Sequence, residues 1–173
     1  HVEHEDPAGL DALSTARLLA AALGPEKPDL VLTGLQSEDL GFGQTGVVLA
    51  ELMGLPHATI IMEVAVEGGA ARVKRELEDG WFQYLDVPLP AVLAIQSGIR
   101  KLRYATLMGI KKAKTKEVKR LRAGDLGVAL ETGFVVTDLY VPARRGGVEM
   151  LSGSPREQAS KLVEKLKFEA RVR

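Results

Sequence analysis

The chain has 173 residues, enough for one ordinary domain with or without a small appendage. Apolar residues make up 46%, which supplies a core, and the 23 Lys and Arg balance 23 Asp and Glu, so no global charge selects a polyanionic partner. There is no cysteine, which excludes disulfides, thiolate metal sites and a cysteine nucleophile; the three histidines have no metal-ligand spacing, and no apolar run approaches a membrane span.

His1-Val2-Glu3 reads as the tail of a strand rather than a signal or transit peptide, and the chain is expected to start inside a larger domain. Pro7 to Gly9 predicts a turn. Residues 11–23 predict a helix with apolar positions at Leu13, Leu18 and Leu19, stopped by Gly24-Pro25. Next comes the stretch around which the chain is organised. Leu30-Val31-Leu32 is long enough for a buried parallel strand, ended by Gly34. A loop, 34–46, carries Gly41, Gly43 and Gly46, and a helix is predicted over 47–53, stopped by Gly54-Leu55-Pro56. Strand, glycine-rich loop and helix N-terminus in that order make an anion site, because first-turn N–H groups are unpaired and the helix dipole adds positive charge. Gln44 and Thr45 would add amide and hydroxyl donors. The loop is neither a Walker A sequence nor G-x-G-x-x-G, and such a turn also occurs with no ligand at all.

From His57 the pattern changes. Residues 59–67 read as a strand, Gly68-Gly69 as a turn, 72–78 as a return strand, Asp79-Gly80 as a second turn, and 81–87 as a third strand. Two successive hairpins therefore sit between α/β units. Pro88 and Pro90 bracket Ala91-Val92-Leu93-Ala94-Ile95, a core strand. The acids Glu76, Glu78 and Asp79 cluster at a turn and read most simply as exposed.

Between Arg100 and Arg122 lie ten of the 23 basic residues against one acid, Glu117. A charge run of this kind is ordinarily a solvated surface helix. Only Tyr104 is present to stack on a base, which argues against nucleic acid. Leu102, Leu107, Met108 and Ile110 inside a basic rim suit a docking surface for an acidic protein partner. Beyond 124–127, residues 134–142 predict a further strand, 144–147 a loop, and 148–153 a short extended run. Ser154-Pro155-Arg156-Glu157 is a capping box with Pro at the first helical position, and Ala159, Leu162, Val163 and Leu166 line one face of the helix that follows. From Gly124 onward the chain reads as an extended arm ending in a helix. No serine has a nucleophile-elbow context and no histidine pairs with one, so binding, carrying or docking is left.

Three segments resemble the beta subunit family of electron transfer flavoproteins. The first is 29–34 with Gln36, Asp39 and Gln44-Thr45-Gly46. The second runs from Val73-Lys74-Arg75-Glu76 through Asp79-Gly80 to Pro90-Ala91-Val92. The third is Arg103-Tyr104-Ala105-Thr106-Leu107, then Ile110 and Lys112-Ala113-Lys114. Their order and spacing also agree, over essentially the whole chain, while roughly the first third of the family's domain is missing upstream. Met108-Gly109 departs from the Pro-Asn of some members, and Phe42-Gly43 from their Cys-Asn.

The resemblance implies an α/β fold: a parallel-sheet nucleotide-binding domain, adenine nucleotide alpha hydrolase-like, with an antiparallel hairpin section and a C-terminal arm. It divides the chain into 1–123 and an arm, 124–173, that packs on the partner subunit. It implies an electron carrier rather than an enzyme, in a heterodimer whose alpha subunit holds most of the FAD while the beta subunit buries AMP. Gly34, Gln36, Asp39, Gly41, Gly43, Gln44 and Thr45 would hold that AMP. Leu107 would anchor a recognition loop, 99–112, on acyl-CoA or related dehydrogenases, with Tyr104, Lys111 and Lys112 around it. Glu76 would meet the mobile flavin-bearing domain, and electrons would pass to a membrane quinone reductase. The implied compartment is the cytoplasm in a bacterium and the mitochondrial matrix in a eukaryote. Two alternatives stay open: a bifurcating relative with a second FAD in place of AMP, and a stand-alone adenine-nucleotide sensor.

Overall fold

A computed structural model of the chain describes residues 1–143 and 147–170. Most of the loop expected at 144–147 lies outside the described residues. The chain divides into two compact units, His1–Val135 and Val136–Arg173.

The first unit is mixed α/β. Its elements in order are β1 (Val2–Glu3), α1 (Ala12–Leu23), β2 (Leu30–Gly34), α2 (Thr45–Met53), β3 (His57–Glu67), β4 (Ala70–Glu76), β5 (Phe82–Pro88), β6 (Ala91–Ile95), α3 (Leu107–Ala113) and β7 (Leu121–Arg122). The main sheet has the order β2-β6-β3-β4-β5. β6 runs parallel to both β2 and β3, whereas β3, β4 and β5 form an antiparallel meander. β1 and β7 make a separate parallel pair. The α/β fold with its antiparallel section is therefore as the sequence predicts.

Local chemistry explains the boundaries. Asp11 is the N-cap of α1, its carboxylate accepting the Ser14 amide at 2.7 Å. α2 ends at Gly54, whose φ of 65° is the left-handed cap conformation; the Leu55 amide returns to the Ala50 carbonyl at 2.9 Å. β6 is apolar along its length because a central parallel strand is covered on both faces; Ala91, Val92, Leu93 and Ala94 are all buried. The core cluster joins Ala91 and Leu93 to Ala58, Ile61, Ala71, Val73 and Val87. β3 shifts register against β6 between Ala58 and Ile61 and against β4 between Ile61 and Glu63; Ile60, inside the first of these, takes a φ of 58° that a β-branched residue rarely adopts.

Two expectations are corrected. Residues 134–142 form no strand, and Leu139 and Val141 are each 93% exposed. Val135, Val136 and Val141 favour a pleated backbone, but a strand also needs an edge to pair with, and among the described residues none pairs with this segment. The basic segment is helical only over Leu107–Ala113, not along its length. Residues 128–133 are instead tied to α1: the Gly133 amide donates to Asp11 Oδ2, Ser14 Oγ to the Glu131 carbonyl at 3.3 Å, and Arg17 to the Ala129 carbonyl at 3.1 Å.

In the second unit the capping box is complete. Glu157 donates its amide to Ser154 Oγ while its carboxylate accepts the Ser154 amide at 2.7 Å, opening α4 (Pro155–Phe168). Lys165 is 3.0 Å from both Glu149 and Glu169. Leu162, Val163 and Leu166 on one face of α4 remain 42–62% exposed.

Candidate functional site

The loop between β2 and α2 leaves the carboxyl end of a parallel strand, where open α/β sheets place their ligands. Gly34 closes β2 in register with Ile95 of β6. Gln36 and Asp39 follow on the exposed loop. The Ser37 hydroxyl and then the Leu40 amide, at 2.8 Å, hold the Asp39 carboxyl below its ordinary value. Gly41 donates its amide to the Ser37 carbonyl at 3.1 Å and has a φ of 66°; Gly43 has a φ of 61°. Both conformations suit glycine and would strain other residues. Gln44 occupies the N-cap position of α2 without a side-chain cap bond, and Thr45 is its first residue. The first bond of the helix ladder runs from the Val48 amide to the Gln44 carbonyl at 3.0 Å. The amides of residues 45–47 therefore precede the ladder, and no protein acceptor takes them among the described residues. The seven predicted residues thus lie between the end of β2 and the first residue of α2. The free amides with the Gln44 and Thr45 side chains are donors suited to a phosphate, whereas the Asp39 carboxylate only accepts.

The structure adds three features. Phe42 in the loop meets Phe134, ring centroids 5.3 Å apart and tilted by 54°. Thr33, one residue before Gly34, has a buried hydroxyl without a hydrogen-bond partner. Gln96, just beyond β6, donates to the Glu76 carboxylate at 3.2 Å. The first and third depend on non-local folding, and sequence spacing carries no signal for them. Thr33 simply reads as part of a strand.

Glu76 ends β4, and its link to Gln96 brings it to the same sheet end as Gly34. The other predicted docking residues form a separate surface. Thr106 caps α3, accepting the Gly109 amide at 3.1 Å. Tyr104 is 88% exposed and Leu107 81%, while Lys111 and Lys112 sit in the last turn, where they complement the helix dipole. Two other basic residues have structural ties: Lys119 pairs with Glu26 at 2.7 Å and Arg120 with Glu3 at 2.9 Å. The Lys119 ammonium hydrogen-bonds the Glu26 carboxylate, which raises the lysine's pKa and lowers the glutamate's.

A family profile, Electron transfer flavoprotein domain, matches residues 1–126. The chain belongs to the electron transfer flavoprotein family. Among its relatives, the electron transfer flavoprotein subunit beta of Methylophilus methylotrophus is 36% identical over 164 residues, covering 90% of this chain and 62% of that protein. The subunit beta of Sus scrofa is 37% identical, with 94% and 62% covered. The mitochondrial subunit beta of Oryza sativa subsp. japonica is 36% identical, with 99% and 66% covered. The chain thus spans about three fifths of the length of the first two. Within the family's domain the match encloses the whole loop, β4 and α3, which are also the segments that carry the sequence resemblance. Among the described residues, no helix is long and apolar enough to cross a membrane and no cluster of acids and histidines has the form of a metal site.

Proposed function

We propose that this chain acts as the beta subunit of an electron transfer flavoprotein and that its 34–46 loop holds AMP. The observation that carries the nucleotide reading is the set of free amides at 45–47 at the end of β2, behind Gly41 and Gly43 in left-handed backbone. These donors suit a phosphate, and glycine lets the backbone come close to it. Gln44 and Thr45 add side-chain donors at the helix start, and Gln36 lies beside Gly43.

FAD, held mainly by an alpha subunit, supplies the electron-storing chemistry when bound. The beta chain's own residues position and dock. Glu76 stands at the sheet end to meet the flavin-bearing domain. Of the arm from residue 124, residues 128–133 are held on α1, and the rest packs on the alpha subunit, with the exposed apolar face of α4 as its contact. Leu107 anchors an acyl-CoA-type dehydrogenase, with Tyr104, Lys111 and Lys112 around it, and electrons go on to a membrane quinone reductase.

Nucleotide extraction from the native heterodimer tests this reading. One flavin and one AMP per heterodimer are expected. Two flavins and no AMP would assign the beta site to a second flavin, and a beta chain holding nucleotide without any alpha subunit would make it a sensor.

A further inference from the structure

Gly46 lies against the end of β2 more closely than any side chain would allow. A Cβ on Gly46 would stand 2.5 Å from Thr33 Oγ1, 3.4 Å from Thr33 Cβ and 3.6 Å from its Cγ2. Gly46 is buried in the first turn of α2 and has no left-handed φ, so its backbone conformation is open to any residue. What demands glycine here is the approach alone. The Thr33 hydroxyl is buried and makes no hydrogen bond, so at this place it acts by filling space. The Thr33 backbone is fixed, since the parallel ladder pairs it with Ala94 and pairs the next residue, Gly34, with Ile95. A larger residue at 46 would therefore turn the Thr33 side chain or displace the helix rather than move the strand.

We infer that Thr33 and Gly46 are a positioning pair that sets how deeply the first turn of α2 reaches toward the nucleotide phosphate. The pair rests on the nucleotide reading of the loop and touches no ligand itself. It fixes where the 45–47 amides stand, and hydrogen bonds weaken steeply with poor alignment.

The test uses the full-length chain assembled with its alpha subunit, stripped of nucleotide. AMP binding by calorimetry and the thermal midpoint are measured for the parent, G46A, T33A and T33A/G46A. G46A is expected to bind AMP roughly tenfold more weakly or worse, the effect of losing one charge-assisted hydrogen bond. T33A/G46A is expected to recover most of that loss, because two Cβ atoms about 3.4 Å apart can coexist. T33A is the fourth corner of the cycle, which isolates the coupling between the two positions. G46A binding AMP like the parent, or a double variant no better than G46A, overturns the inference. So does a G46A protein with a lowered thermal midpoint and unchanged AMP affinity, since the role is then structural only. Should G46A not assemble, the double variant carries the test: restored assembly with AMP binding supports the pair, and failure of either overturns it. A parent that takes up no AMP is a different result. It removes the nucleotide reading, and the inference with it, before any variant is compared.

Discussion

Gly43, like Gly41, holds left-handed backbone in the loop. Its φ of 61° lies where a residue with a Cβ pays about 1–2 kcal/mol, and a β-branched one more. A Cβ there would meet the Leu35 carbonyl and the Gln36 side chain only at ordinary contact distances, 3.5 and 3.6 Å, so the obstacle is conformation rather than space. Gly43→Val is therefore expected to re-route the loop and weaken AMP retention in protein reassembled with the alpha subunit. Nucleotide counted after gel filtration decides it: a variant that holds AMP like the parent removes the loop from the site. Gly41 and Gly43 were legible from sequence because the glycine requirement is local. The contact of Thr33 with Gly46 was not, since it joins a strand to a helix across a loop and exists only once both have formed. Ile60 is a comparable case: a β-branched residue reads as plain strand, and its positive φ lies where β3 shifts register against β6.

At the scale of elements, punctuation by caps decided what could be read. α1 and α4 start within a residue of prediction, because Asp11 and the Ser154–Glu157 box act on neighbouring backbone. α2 ends at Met53 as predicted, because Gly54 caps it; its start, which has no side-chain cap, lies two residues earlier than predicted. The β3–β4–β5 meander was legible for a related reason: Gly68-Gly69 and Asp79-Gly80 close each hairpin locally. The strand expected at 134–142 failed because pairing is non-local, and Phe134 found Phe42 instead of a ladder. Asp11 shows how one cap can serve two elements, for its carboxylate accepts amides from both Ser14 and Gly133. Those bonds, that of Ser14 foremost, hold its carboxyl below the ordinary aspartate range. A carboxyl lowered on folding stabilises fully above its unfolded value, and that contribution is lost as pH falls through the lower folded value. The thermal midpoint of the parent should thus fall more steeply than that of Asp11→Asn on acidification below about pH 4. Asn still caps but does not titrate there. Equal slopes for the two proteins would remove Asp11 from the acid response.

Over the whole molecule, charge balance hides a local asymmetry. Ten of 23 basic residues lie within 100–122, yet Lys119 and Arg120 are engaged in ion pairs, which leaves the encounter field mainly to residues 100–116. In that stretch most of the large apolar residues are exposed beside the charges: Leu102, Tyr104, Leu107 and Met108 are all at least 72% accessible. Two effects on docking should therefore separate by the variable each controls. The basic residues should speed encounter with an acidic dehydrogenase surface, and added salt should slow it. Leu107 should govern how long the complex lasts. Burying it on docking is worth roughly 1.5–3 kcal/mol, so Leu107→Ala should cost about ten- to a hundredfold in affinity. The residue buries little within its own chain, so flavin absorbance, assembly and thermal midpoint should stay at parent values. The measurement is flavin reduction driven by the dehydrogenase, set against reduction of the same preparation by dithionite. Dehydrogenase-driven reduction should fall steeply and the dithionite rate should hold. Parent-rate electron uptake by Leu107→Ala would end the recognition-loop reading. Equal slowing with both reductants would instead place Leu107 in the folded framework, against its 81% exposure.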